Sequence, residues 1–212
     1  MTAASAKRMV SGYSKGELRR LGEGMYDSVE VVFNQFTERW PSAEARFEAL
    51  EALSDGYRAL NRQLNDWHLS KATPVAIEES MARAWLGESL RVSWRHGAFK
   101  RYGSTADASV LEVPNLQLSE LPVLPASEFS HVQTLNLRGT QAPAEQIRRF
   151  VGGFTELQRL GLPGTGLTEV PIAPGELGQL TYLDLSGNRL GAGSAEPQRF
   201  DGLQSLEYLD LS

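Results

Sequence analysis

The chain has 212 residues, 41% of them apolar and 8% aromatic, and a net charge of −5. That composition supplies a packed core and sets disorder aside, while the acidic balance counts against a nucleic-acid partner, because phosphate neutralisation needs a basic stripe. There is no cysteine, which excludes disulfides, thiolate metal sites and a cysteine nucleophile on this chain.

The charge is uneven: residues 1–105 hold 15 basic against 13 acidic side chains (net +2), and residues 106–212 hold 6 against 13 (net −7). The C-terminal half would therefore attract a basic surface. No run reaches the roughly 18 apolar residues of a membrane span. Met1 to Val10 lacks the apolar stretch of a cleaved secretory signal.

Three amphipathic helices are predicted between residue 14 and about residue 98. The first opens on Ser14 and Glu17 at capping-box spacing. It carries Leu18, Leu21, Met25, Val29, Val32, Phe33 and Phe36 on one face and ends near Trp40, before Pro41. The second starts with Ser42 as N-cap and Glu44 in the first turn. Its inner stripe is Phe47, Leu50, Leu53, Tyr57, Leu60, Leu64 and Trp67. The third starts at Thr73 and Pro74, takes Met81, Trp85, Leu86, Leu90 and Trp94 inward, and fades near Gly97. Short connections make neighbours antiparallel, so residues 1–105 read as a helical bundle. Trp40, Trp67, Trp85 and Trp94 are expected in its core rather than in a ligand cage.

From residue 111 a fixed period takes over. Each unit runs leucine, any residue, an apolar residue, two variable positions, a key position, any residue, then a further apolar residue. The units begin at Leu111, Leu135, Leu160, Leu183 and Leu209, with steps of 24, 25, 23 and 26 residues. The second residues of the pairs are Val113, Leu137, Leu162, Leu185 and Leu211, and the key positions are Leu116, Thr140, Thr165 and Asn188. Asn188 can satisfy backbone groups leaving a strand with its amide, and Thr140 and Thr165 can do part of this with one hydroxyl. Leu116 cannot, which marks the first unit as irregular. Ala144 to Phe150 reads as a short helix, and Gly191 to Pro197 as irregular.

Strand alternation points the leucines inward and the residues between them outward. The outward positions are Glu112 and Pro114; Thr134, Asn136 and Arg138; Arg159, Gly161 and Pro163; Tyr182, Asp184 and Ser186; and Tyr208, Asp210 and Ser212. Tyr182 and Tyr208 are expected to stack on adjacent strands. Asp184 and Asp210 are expected side by side, repelling unless a cation or basic partner neutralises them. The partner-binding candidates are Asn136, Arg138, Arg159, Tyr182, Asp184, Tyr208 and Asp210, since exposed tyrosines are favoured at interfaces. His68, His96 and His131 are scattered without metal-ligand spacing. Gly161, Gly164 and Gly166 lack the lysine and hydroxyl residue of a phosphate loop. Neither a catalytic set, a metal site nor a cofactor is expected.

Residues 111–212 resemble the leucine-rich repeat superfamily. A narrower likeness joins Asn61–Trp67 and Val92–His96 to Leu118-Ser119-Glu120-Leu121-Pro122 and Val132–Leu137. It is similar to the region preceding the catalytic domain of bacterial type III effector ubiquitin ligases, the novel E3 ligases. That resemblance implies recognition of a substrate, or restraint of a catalytic domain whose nucleophile is a cysteine. Repeats in that family are commonly shorter than these. The expected fold is α/β: a helical N-terminal domain over 1–105, then a leucine-rich repeat solenoid over 106–212 with a short parallel sheet on its concave face. The expected function is protein recognition on that face, with autoinhibition of the chain's own catalytic domain as the alternative. Because the fifth unit is incomplete, further repeats or a C-terminal domain are expected. The resemblance implies residence in the bacterial cytoplasm before export, and then in host cells.

Overall fold

The computed structural model describes residues 42–70, 77–100, 108–125, 128–172, 176–191 and 200–212. The first predicted helix, the Thr73–Pro74 start of the third, and residues 192–199 lie outside these, as do the side chains of Phe47 and Leu50. Two helices open the described chain, α1 (Ala43–Leu69) and α2 (Ile77–Lys100). Strands β1 (Val110–Glu112) and β2 (Thr134–Asn136), helix α3 (Ala144–Val151), and strands β3 (Arg159–Gly161), β4 (Tyr182–Asp184) and β5 (Tyr208–Asp210) follow. Packing divides the chain into two compact units, residues 1–58 with 98–105 and residues 59–97 with 106–212.

Of the first unit, the described residues are the start of α1 and the last turn of α2. Ser42 is the N-cap the sequence predicts: its Oγ accepts the backbone N–H of Ala45 at 3.1 Å, satisfying one free donor of the first turn.

In the second unit, Leu60, Leu64 and Trp67 of α1 are buried, as are Ala82, Leu86, Leu90 and Trp94 of α2. Two expected core residues of α2 are not: Met81 is 67% exposed and Trp85 64%. The inner face is built instead on Ala82, Arg83, Leu86, Leu90, Ser93, Trp94 and Gly97, one position round the helix from 81 and 85. A residue step turns a helix by about 100°, enough to carry Met81 and Trp85 from core to solvent. Gly97 does not end α2, which runs on to Lys100. It leaves room for a neighbour: a Cβ at Gly97 would lie 2.1 Å from Nδ1 of His131, and His131 Nε2 stands 3.2 Å from Ser93 Oγ.

Arg83 is fully buried and joins these helices to the first repeat. Its Nη1 donates to the Trp67 carbonyl at 2.6 Å and its Nε to Glu79 Oε1 at 3.2 Å. Nη2 lies 3.2 Å from Glu79 and 3.6 Å from Glu120, and the guanidinium sits 5.2 Å from the Trp67 ring centroid. Glu79 also accepts from the Ser119 amide at 3.2 Å and from its hydroxyl. Gln63 donates to the Val123 carbonyl, and Trp94 Nε1 to Glu128 at 2.6 Å.

The five strands form one parallel sheet in chain order. Its register aligns Leu111, Leu135, Leu160, Leu183 and Leu209, the first leucines of the five units. The ladder continues beyond the strands, with Leu137, Leu162 and Leu185 each donating at 2.8 Å to the following unit. Leu135, Leu160, Leu162, Leu183 and Leu185 are completely buried, and each layer covers the apolar side of the one before. The return segment of the second unit contains α3, one residue longer than the sequence predicts, which buries Ile147, Phe150 and Val151. Phe154 meets Phe129 and Phe150 edge-on at centroid distances of 5.7 and 5.3 Å, filling the space behind the sheet.

Candidate functional site

The key positions hold the turns that aim the outward face. Asn188 donates through Nδ2 to the carbonyls of Leu162 at 2.8 Å and Leu185 at 2.7 Å, while its Oδ1 accepts from Leu167 N at 3.0 Å. Thr140 donates to the Val113 carbonyl at 2.7 Å and accepts from Leu116 N at 3.3 Å. Thr165 Oγ1 stands 3.0 Å from the Leu162 carbonyl and 3.1 Å from Asn188 Oδ1, so its single proton serves one of them. The Asn188 amide thus answers three backbone groups where the Thr140 hydroxyl answers two, having one proton to donate against the amide's two.

On this frame the first outward row is Val110, Thr134, Arg159, Tyr182 and Tyr208, directly opposed from strand to strand. Its last three members form a stack. The Tyr182 and Tyr208 rings lie 4.5 Å apart at 2° to one another, the cross-strand pair the sequence predicts. The Arg159 guanidinium lies 4.2 Å from the Tyr182 centroid. Cation–π and ring–ring attraction hold three planar groups in one column on three adjacent strands. Tyr208 remains 47% exposed.

The second row is Glu112, Asn136, Gly161, Asp184 and Asp210. Three of its side chains perform the same local task. Asn136 Oδ1 accepts from Arg138 N at 3.0 Å, Asp184 Oδ1 from Ser186 N at 2.9 Å, and Asp210 Oδ1 from Ser212 N at 2.9 Å. Asp184 Oδ1 also accepts the Ser186 hydroxyl at 2.6 Å. These bonds offset part of the repulsion between the paired aspartates, a role their spacing in the sequence does not reveal. The Ser212 backbone N–H, then its side chain, hold the Asp210 carboxyl below its ordinary value. The Asp210 charge in turn raises the Tyr208 phenol. Gly161 interrupts the row because a Cβ there would stand 3.2 Å from Asn136 Oδ1.

The seven candidates therefore fall into two groups. Arg159, Tyr182, Asp184, Tyr208 and Asp210 share β3 to β5, whereas Asn136 and the exposed Arg138 belong to β2 and its exit. Arg83, Glu79 and Glu120 are absent from the sequence-based candidates. Their only signal is an i, i+4 Glu–Arg pair on a helix, which ordinarily reads as a solvated ion pair. Among the described residues no three His, Asp or Glu side chains are grouped to hold a metal ion, and no helix is long and apolar enough to cross a membrane.

Over 186 residues, 86% of this chain, the sequence is 34% identical to the human protein named leucine-rich repeats and immunoglobulin-like domains protein 1. The chain spans 16% of that relative's length. No family model matches the chain, and no solved structure matches it.

Proposed function

We propose that this chain is a protein-recognition module whose partner docks on the outward face of the sheet, across β3 to β5. The observation that carries this reading is the Arg159–Tyr182–Tyr208 stack, displayed in one column on the outward face of three adjacent strands. Tyrosine offers a large amphipathic contact with few rotatable bonds, and stacking restrains those bonds before a partner arrives. The leucine-rich repeat relative supports the same general role. Photo-crosslinking residues at positions 138 and 208 on this face, and at 149 on α3, test it. The reading expects one protein captured from 138 and 208 and not from 149. Capture from 149 alone, or no capture from 208, contradicts it.

A second reading has the same face bind another domain of its own polypeptide. The relative's much greater length favours it, because a chain spanning 16% of a relative leaves room for such domains in a longer form. An intramolecular crosslink from position 208 in a longer form of the chain would separate the two. The finer reading as the recognition part of a bacterial effector ligase rests on the helical lead-in. The residues of that likeness coincide with the junction described above, including Trp67, Trp94, Ser119 and Glu120. The comparisons add nothing to it, and a catalytic cysteine would have to lie outside this sequence.

A further inference from the structure

We infer that the partner presents two carboxylate side chains to the outward face of β2 and β3, one taken by the Arg159 guanidinium and the other by Arg138. The inference rests on the protein-recognition reading and names its ligand chemistry. Arg159 is exposed, and its guanidinium lies 4.2 Å from the Tyr182 centroid. The ring holds one face of that planar group and leaves the N–H groups on its edge to donate. Directly opposite Arg159 on β2 is Thr134, and the next outward residue of β2 is Asn136, which spends Oδ1 on the Arg138 amide. Among the described residues, nothing accepts from the Arg159 or Arg138 guanidinium, the Thr134 hydroxyl or Asn136 Nδ2, and no carboxylate lies within ion-pair distance of either arginine. Gly161 leaves the outward position after Arg159 without a side chain, so a group of the partner can approach the sheet there. The outward aspartates stand apart from these donors on β4 and β5, each turned to the serine two residues on.

Donors without acceptors select a group that only accepts, and an ionised carboxylate is one. A guanidinium edge meets it with two parallel bonds, which an ammonium cannot do. The register sets the spacing. Pairing continues past β2, with Gly139 N donating to the Pro163 carbonyl, so Arg138 stands level with Pro163 and four residues along the sheet from Arg159. At about 3.3 Å per residue that is roughly 13 Å, the separation of two side chains four apart on an extended partner segment. The net charge of −7 over residues 106–212 opposes any acidic partner at long range. It acts alike on peptides of equal charge, so a preference between two such peptides reports the contact itself. Glu112, opposite Asn136 on β1, competes for these donors from within the chain.

The test titrates the intact 212-residue chain with three peptides, each acetylated and amidated: Glu-Gly-Gly-Gly-Glu, Glu-Glu-Gly-Gly-Gly and Gln-Gly-Gly-Gly-Gln. Adjacent glutamates point to opposite sides of an extended chain, so the second peptide matches the first in charge and not in geometry. Binding is followed by NMR on the Nε–H groups of Arg138 and Arg159 and on the Asn136 side-chain amide. The spaced acidic peptide is expected to bind in the range of roughly 1 mM, about three-fold or more tighter than the adjacent-glutamate peptide and about five-fold or more tighter than the glutamine peptide. Arg159→Lys keeps the charge without the fork and is expected to lose about three-fold in affinity. Arg138→Gln with Arg159→Gln is expected to bring the spaced acidic peptide to the level of the glutamine peptide or below it. Both arginines are exposed, so the double variant leaves the core intact. Glu112→Gln is expected to tighten binding about two-fold. Equal binding of the two acidic peptides, no advantage over glutamine, full affinity in the double variant, weaker binding in Glu112→Gln, or shifts confined to other surfaces overturns the inference. Crosslinking from positions 208 and 149, which leaves both arginines in place, decides the protein-recognition reading separately.

Discussion

At the scale of single residues, the turn positions do the most defined work. Removing the Asn188 amide leaves the Leu162 and Leu185 carbonyls and the Leu167 N–H without their partner. Asn188→Ala is expected to cost about 2–4 kcal/mol, since each buried group left unsatisfied costs roughly 1–3 kcal/mol. Asn188→Thr should cost about half as much, because Thr140 and Thr165 already serve their own turns with one hydroxyl. Urea unfolding of the two variants checks this, and equal losses would count against the account. Glu145 gives a pH test. Hydrogen bonds from Arg148, then Arg149, lower its carboxyl from 4.5 to about 2. A depressed folded value means that its contribution is complete above the ordinary value and is lost as pH falls through about 2. Its position at the surface makes that contribution small and salt-sensitive. A carbon-detected titration of Glu145 should show a midpoint near 2 that rises with salt. A midpoint at 4.5 would mean that the arginine pairs do not persist in solution.

At the scale of elements, the repeats were legible because their leucines are both numerous and periodic, and one register explains all five strands. The stacked tyrosines followed from that register, since residues at equal phase must face each other across a parallel pair. Helix α2 was less legible for a physical reason. Its buried face uses Ala82, Arg83, Ser93 and Gly97, which a search for large apolar residues passes over, while Met81 and Trp85 draw the stripe to the wrong side. Gly97 read as a helix end because glycine weakens helices, but here it admits the His131 ring. Leu90→Ala is therefore expected to cost about 2–5 kcal/mol, and Trp85→Gln less than about 0.5 kcal/mol. Equal losses in thermal melts of the two variants would return Trp85 to the core.

At the scale of the whole molecule, Arg83 couples α1 and α2 to the first repeat within one compact unit. Arg83 is fully buried while Glu79 and Glu120 keep contact with solvent, so its loss leaves two partly hydrated carboxylates side by side, and Arg83→Ala is expected to cost about 1–3 kcal/mol. Hydrogen exchange should quicken in Leu86–Trp94 and Leu118–Leu121 together, and quickening in the helix alone would deny the coupling. The stack at the other end of the sheet is tied less to folding than to recognition, and that is the central claim. The measurement that tests it most directly is the affinity of the protein captured at position 208 for the Tyr182→Ala, Tyr208→Ala chain, taken alongside its melting curve. The account predicts an affinity loss of about 30-fold or more, the scale of a hot spot of roughly 2 kcal/mol. It also predicts a melting temperature lowered by no more than a few degrees, in keeping with a cross-strand pair worth about 1 kcal/mol. Unchanged affinity in a folded variant would contradict it.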